Sequence, residues 1–505
     1  MKGKLLKRMM ALAVSAVMTV GVLAGCSDPG ATGKADAQPN VTEDGSIDTS
    51  EEVELVMYVV SDRPAGQDVM DENLNKLLKE KLNCTLKINW IGWADFSNKY
   101  PLLFTSGEEF DMAYCATWLN FNSLAQKGAF KSLDELWPAC APNNFEKTSS
   151  DAKLQVTVNG HYYAVPTLLP TYNAYGPIYR TDIMEGTDWN GKMDTFEDLE
   201  AYCDIVKETH PELEPLDIDS SGPQWQHLFF YSEGYNYLAD YVLFDPSEEH
   251  PQVMASYEVE KLPDFLQMMK RWNEKGFFSK SALSDTDTTK TANGKAAMKV
   301  HNLDTYRDLA IQHPEYEFGY ANFRKDLAHL PFTQDCMVIS NTSKNPERAL
   351  AFWEMVTSDQ ELYDALFYGV LGTTYELNEE GQYTITDTDL YSTGAMWGAR
   401  TAGLERDADG TPAEYQQMKN DFESQIVPGE GSEKYAGFVF DTSAIETEFA
   451  ACNNVHQQYF FPLVLGYTDA EAGLAEYEEK LKAAGIEKIM EEAQRQLDEY
   501  LEGLN

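Results

Sequence analysis

The chain is short of positive charge. Against 83 Asp and Glu stand only 39 Lys and Arg in 505 residues, a formal net charge of −44. Nucleic-acid binding runs on clustered Lys and Arg that displace phosphate counterions, so this composition excludes a nucleic-acid partner. The eight histidines are scattered, and no two stand four residues apart on one helix face, as a metal pair would. The chain lacks a G-x-x-x-x-G-K-[ST] phosphate loop, a G-x-G-x-x-G dinucleotide turn, a G-x-S-x-G nucleophile elbow and an H-E-x-x-H zinc helix. Asp407-Ala408-Asp409-Gly410 begins like a calcium loop, but its glycine comes two positions early and no matching Glu closes it, so an exposed acidic turn is expected. No metal and no cofactor is expected. The acidic residues are too many to argue for a facing carboxylate pair of the glycosidase kind, and too many to exclude one. Nothing in the residues calls for covalent chemistry, and the chain is read as not an enzyme.

Cysteine is also sparing. Six of the seven (Cys84, Cys115, Cys140, Cys203, Cys336 and Cys452) are widely spaced with no C-x-x-C; disulfides stay open, and small buried hydrophobes are the expectation. The seventh is different. Lys2, Lys4, Lys7 and Arg8 precede an apolar run from Met9 to Leu23, which ends in Leu23-Ala24-Gly25-Cys26. A basic start, a short apolar core and small residues before a cut make a secretory signal, and the core is short for a spanning helix. An ordinary cleaved signal with an incidental cysteine is one reading. L-A-G-C at this distance favours a bacterial lipobox, with residues 1–25 as signal and Cys26 carrying a diacylglyceryl anchor. The first 25 residues hold four positive and no negative charges, so their removal leaves −48. From 26 to 52 the composition is small, polar and acidic, which cannot bury enough surface to order itself, so a flexible tether is expected.

The remaining 450 or so residues suffice for two large lobes. Glu54–Val60 reads as a buried strand, 69–82 as an amphipathic helix, 85–90 as a second strand, 95–106 as helix and 110–114 as a third strand. Such alternation predicts a mainly parallel sheet covered on both faces. Asn159-Gly160 predicts a tight hairpin turn, and Asp194 or Thr195 a helix cap. Helices are expected over 262–276, closed by Gly276, over 346–358, and twice in the tail, 469–484 and 486–501, separated by Gly485. The apolar stripes of the tail are read as core packing rather than a partner surface.

Aromatic residues among turn-formers are the chemical signal that is present: Trp93, Trp118, Tyr172, Tyr175, Trp225 and Trp397. Indole and phenol faces stack on the C–H faces of sugar rings while nearby amides and carboxylates bind hydroxyls, giving a pocket with an apolar body and a few fixed polar groups. Any one of these aromatics could instead belong to the core.

Several motifs in order resemble family 1 of the extracellular solute-binding proteins of ABC importers, in its large Gram-positive lipoprotein branch. Asn159-Gly160-His161-Tyr162-Tyr163-Ala164-Val165-Pro166 is similar to the family's G-x-x-Y-A-x-P strand. Ile178-Tyr179-Arg180-Thr181-Asp182-Ile183 looks like its Y-N-K-D-L segment, with Arg180 and Thr181 replacing the usual pair. Thr195-Phe196-Glu197-Asp198-Leu199, Asn293-Gly294-Lys295-Ala296-Ala297-Met298, and Val338-Ile339-Ser340 followed by Asn345-Pro346-Glu347-Arg348-Ala349 continue the series. The resemblance implies a two-lobed α/β fold like that of the periplasmic binding proteins, with an interlobe cleft and a helical tail. The first lobe would comprise 53–167 plus 299–372 and the second 168–298 plus 373–505, with crossings near Val165–Leu168, Met298–Asn302 and Leu371–Tyr375. On that plan the cleft candidates, at strand ends, are Asp62 and Arg63, then Trp93, Trp118, Tyr172, Tyr175, Asn302, Gln334 and Asp335, with Trp225 and Trp397 reaching in from the second lobe. The implied function is capture of a small solute, a carbohydrate and foremost an oligosaccharide, by a lipid-anchored monomer on the extracellular face of the membrane, for transfer to two permease transmembrane subunits. The alternatives are a secreted two-lobed glycoside hydrolase and a glycan-binding surface adhesion protein.

Overall fold

The first strand, β1 (Val53–Val60), alternates outward residues with Leu55, Met57 and Val59, which are fully buried. The computed structural model describes residues 47–92, 96–220, 224–392 and 396–504. The expected signal, Cys26, most of the tether and Trp93 lie outside the described residues. Helix α1 (Gln67–Leu82) turns Met70, Leu74, Leu78 and Leu82 inward and ends at Asn83 in the left-handed region, φ 46°. Asparagine tolerates that conformation and stops the helix. The chain then returns as β2 (Cys84–Ile91), parallel to β1 from Val53↔Cys84 to Val60↔Ile91. On the other side of β1 lies β3 (Met112–Cys115), also parallel.

Five further strands position the site: β4 (Val165–Pro166), β5 (Tyr175–Arg180), β6 (Met298–Asn302), β7 (Phe318–Tyr320) and β8 (Cys336–Ile339). The first sheet has the order β2-β1-β3-β8-β4, with β8 antiparallel to both its neighbours. The second is β6-β5-β7, antiparallel throughout. Within these two sheets parallel pairing holds for β1, β2 and β3, while β8 and β4 run antiparallel, a correction to the mainly parallel sheet expected. Chain returning from the second half enters β8 from the opposite end.

Each sheet has its own core. The first gathers apolar residues from 55–165 and 336–399. The second gathers residues from 179–300 and 445–493, around α2 (Phe196–Thr209) and α3 (Leu262–Lys275). A smaller cluster joins α4 (Leu303–Gln312) to α5 (Ala413–Gln425) through Leu303, Tyr306, Tyr415 and Phe422. All described residues belong to one compact unit. The tail helices α6 (Ala470–Ala484) and α7 (Ile486–Leu504) bury Tyr477, Leu481, Ile486, Ile489, Ala493 and Leu497 completely, so their stripes are core packing.

Local signals act as their chemistry dictates. Asn159 and Gly160, φ 51° and 83°, turn Thr157–Val158 into His161–Tyr162, the geometry a two-residue hairpin with matching twist requires. Thr195 and Asp198 form a reciprocal capping box at the start of α2. All six described cysteines are free and buried, and among the described residues no helix is long and apolar enough to cross a membrane.

Candidate ligand-binding site

Two stretches that carry the chain between the two cores are bonded to one another. Residues 167–173 run beside residues 328–335: Thr167 N donates to Asp335 O at 3.0 Å, Leu330 N to Thr171 O at 2.8 Å and Asn173 N to Ala328 O at 3.0 Å. Residues 400–402 flank the pair, with Leu168 N donating to Arg400 O at 3.0 Å. A few backbone-bonded segments between two separately packed bodies can act as a hinge. Residues 167–173 overlap the first crossing expected at Val165–Leu168. The second is not Met298–Asn302, which stays bonded along its whole length to β5, nor is the third Leu371–Tyr375, which turns back into a hairpin on the first core. Phe318–Tyr320, expected in the first lobe, also pairs with β5.

Against these segments lies a cavity of about 400 Å³. Strand β3 ends at Cys115, and Ala116, fully extended, hands the chain to the single turn Thr117–Leu119 that presents Trp118, 37% exposed. The Trp118 and Trp397 rings meet Tyr114 at 6.0 and 5.6 Å between centroids. Trp397 opens the turn Trp397–Ala399, which lies directly on β8. A Cβ on Gly398 would stand 3.1 Å from the Cys336 backbone, so glycine permits that approach.

The facing wall is charged. The Tyr114 hydroxyl donates to Asp335 Oδ1 at 2.7 Å. Burial pushes the Asp335 carboxyl up, with Tyr114 and Arg400 opposing. Asn302 caps α4 by accepting from Thr305 N at 2.9 Å, and so sets Asp304 in the first turn. There Asp304 accepts from the Tyr415 hydroxyl at 2.5 Å and from Arg400 Nη1 at 3.4 Å. Burial alone would raise its carboxyl; Arg400, Arg307 and Tyr415 outweigh burial and hold it at about 2. Arg400 Nε also pairs with Glu405 at 2.9 Å, and Arg307 with Asp308 at 2.8 Å.

A second cavity of about 470 Å³ shares Tyr172, Asn302 and Leu330 with the first and is largely aromatic, lined by Tyr175, Tyr231, Tyr237, Phe244, Tyr435 and Phe438. Arg324 lies 4.1 Å above the Tyr231 ring. On its wall His329, on a crossing segment, is bracketed by Glu433 at 2.9 Å and Glu423 at 3.0 Å. Those carboxylates, Glu433 first, raise the imidazole against the opposing effect of burial. The Tyr172 hydroxyl donates to the same Glu423 at 2.9 Å. Among the described residues no group of three or more His, Cys, Asp or Glu side chains could hold a metal. The arrangement offers stacking faces, fixed hydrogen-bond partners and a hinge.

A sequence model of bacterial extracellular solute-binding proteins matches residues 63–362, well over half of the chain. The chain belongs to that family. Residues 434–502 separately match a domain of unknown function (DUF3502). A carbohydrate ABC transporter substrate-binding protein of Streptococcus pneumoniae serotype 4 is 27% identical over 478 residues, 90% of this chain and 92% of that protein. The crystal structure of the N-glycan transport solute-binding protein of Streptococcus pneumoniae superposes with a TM-score of 0.76 at 23% identity, covering 90% of this chain and all of that one. The Streptococcus pneumoniae substrate-binding protein FusA, in complex with kestose, gives 0.62 at 14% identity over 90% of this chain and all of that one. The fold is therefore the two-lobed α/β fold of these extracellular binding proteins, with a helical C-terminal region.

Within that fold the candidates separate. Trp118, Tyr172, Asn302, Gln334, Asp335 and Trp397 line the first cavity, and Tyr175 the second. Asp62 and Arg63 line neither; Arg63 is engaged by Asp68 at 2.6 Å and Asp71 at 3.5 Å on α1. Trp225 requires a correction. It is 2% exposed and packs edge-on against Trp272 in the second core, because it begins the helix Gln224–Glu233 with its ring on the buried side. Tyr114, Asp304, Arg307, Arg400 and Tyr415 went unread. The available signal was several arginines near a cleft-facing tryptophan in a chain with few cations.

Proposed function

We propose that the protein captures a carbohydrate, foremost an oligosaccharide, in the cleft between its lobes and presents it to the permease subunits of an ABC importer. The observation that carries this reading is the pairing of Trp118, Tyr114 and Trp397 with Gln334, Asp335 and Asp304 around one cavity at the hinge. Aromatic faces supply apolar area for a sugar ring, and fixed acceptors supply its hydroxyls. The carbohydrate named for the 27%-identical relative supports the same ligand class. A ligand that touches both lobes lowers the energy of the closed form relative to the open one, and the closed surface is what a permease would read. Release is unaltered ligand, with no covalent step.

The anchor belongs to the same proposal: Cys26, lipidated after removal of residues 1–25, holds a monomer at the extracellular face, and the segment to about residue 52 gives it reach. Tryptophan fluorescence and calorimetry with a panel of oligosaccharides test the capture. Saturable one-to-one binding without turnover is expected, while cleavage of the glycan would assign a hydrolase instead. Cys26→Ala should move the protein from the membrane fraction to the medium. Retention of the variant in the membrane would refute the anchor.

A further inference from the structure

The charges around the first cavity bear on which carbohydrates it accepts. Its three guanidinium groups are each matched by a carboxylate: Arg307 by Asp308 at 2.8 Å, Arg400 by Glu405 at 2.9 Å, and Arg406 by Asp364 at 2.8 Å. Arg400 reaches Asp304 as well. The other cation on the wall is Lys419, 5.5 Å from the centre of the Tyr415 ring. Against it stand two carboxylates, Asp335 and Asp407, with no ion pair among the described residues. A ligand carboxylate would have to take a guanidinium from its partner, leaving that partner's charge uncompensated, or rest on Lys419 alone in a wall where carboxylates outnumber cations. Either is unfavourable in a partly desolvated cleft. The mature charge of −48 adds a long-range repulsion. A hydroxyl, by contrast, can donate to Asp335 without disturbing any pair.

We infer that the cleft is specific for uncharged glycans and rejects those bearing uronate or sialate groups, with Asp335 as the specificity-determining carboxylate. The inference rests on the carbohydrate reading proposed above.

The test uses the full chain carrying Cys26→Ser, applied to an array of neutral, sialylated and uronate-bearing oligosaccharides, with calorimetry on matched neutral and acidic pairs of each glycan bound. Neutral members should bind at least about tenfold tighter than their acidic counterparts. The gap should narrow at high salt, since screening weakens repulsion but leaves stacking and neutral hydrogen bonds alone. Asp335→Asn should weaken neutral binding and also shrink the neutral-to-acidic ratio, which a merely structural role would not move. The salt series needs no variant and so stands even if that one misfolds. An acidic glycan bound as tightly as its neutral parent would overturn the inference while leaving carbohydrate capture intact. Failure to bind any glycan would overturn both.

Discussion

Asp304 joins three elements that line the cleft, and replacing it by asparagine isolates what its charge contributes. Asparagine keeps the shape and can still bond Tyr415, but it offers Arg400 and Arg307 no charge. The carboxyl is held at about 2 against an ordinary value of 3.8, which corresponds to about 2.5 kcal/mol in favour of the ionised, folded form. One third of the side chain reaches cavity water, and screening reduces this to about 1–2 kcal/mol. The sign follows from the depressed value: the stabilisation is present above pH 3.8 and is lost as the pH falls towards 2. Urea unfolding should therefore show Asp304→Asn less stable than the parent by about 1–2 kcal/mol at pH 7, and the two should converge near pH 2–3. Equal stability at pH 7 would refute the network, and a deficit that persists undiminished in acid would refute its electrostatic cause. Ligand affinity at pH 7 should fall too, because Arg400 would lose one of the two carboxylates that orient it.

Four further outcomes follow from particular contacts. Trp118→Ala and Trp397→Ala should each weaken ligand binding by about ten- to thirtyfold in calorimetry, whereas Trp225→Phe should lower thermal stability and leave affinity unchanged. His329 is raised above its ordinary value of 6.5, so its clamp on Glu433 and Glu423 is complete below pH 6.5 and lost as pH rises through the raised value. The parent should thus lose stability between pH 6.5 and 9 that His329→Gln does not, a difference read by chemical denaturation at both pH values. Gly176→Ala would bring a Cβ within 1.8 Å of the Ala321 carbonyl oxygen beside β5. Spreading those strands should cost about 1–3 kcal/mol, visible as a lower unfolding midpoint. Neutral glycan binding should hardly change between low and high salt, as titration at two ionic strengths would show.

Much of the fold is legible because its signals are local. The run Val53–Val60, the inward stripe of α1, the left-handed pair Asn159-Gly160 and the Thr195–Asp198 box each need only their near neighbours to be read. The assignment of strands to halves is not local. Met298–Asn302 and Phe318–Tyr320 are short segments whose sheet depends on pairing with β5, more than 110 residues earlier in the chain. Their own residues read alike in either sheet, so the motif draws the expected crossing to Met298–Asn302, thirty residues before 328–335 meet 167–173.

The site divides along the same line. Trp118 and Trp397 line the first cavity because a large aromatic in a single turn beside a strand end has little of its own element to cover it, although Trp397 packs on the first core and not in the second lobe where it is expected. Trp225 carried the same sequence flavour, with Gly222 and Pro223 just before it. It fails as a cleft residue because Trp272, from α3, covers its ring. Turn-forming neighbours show that the backbone bends and say nothing about what packs on the side chain. The charged wall is harder still. Asp304 and Arg400 are 96 residues apart, and Asp304 and Tyr415 are 111 apart. Each alone reads as a solvated surface residue, and only their convergence makes a buried network. A sequence can therefore nominate stacking faces one residue at a time, whereas the polar half of a sugar site exists only as pairings, and pairings are set by the fold.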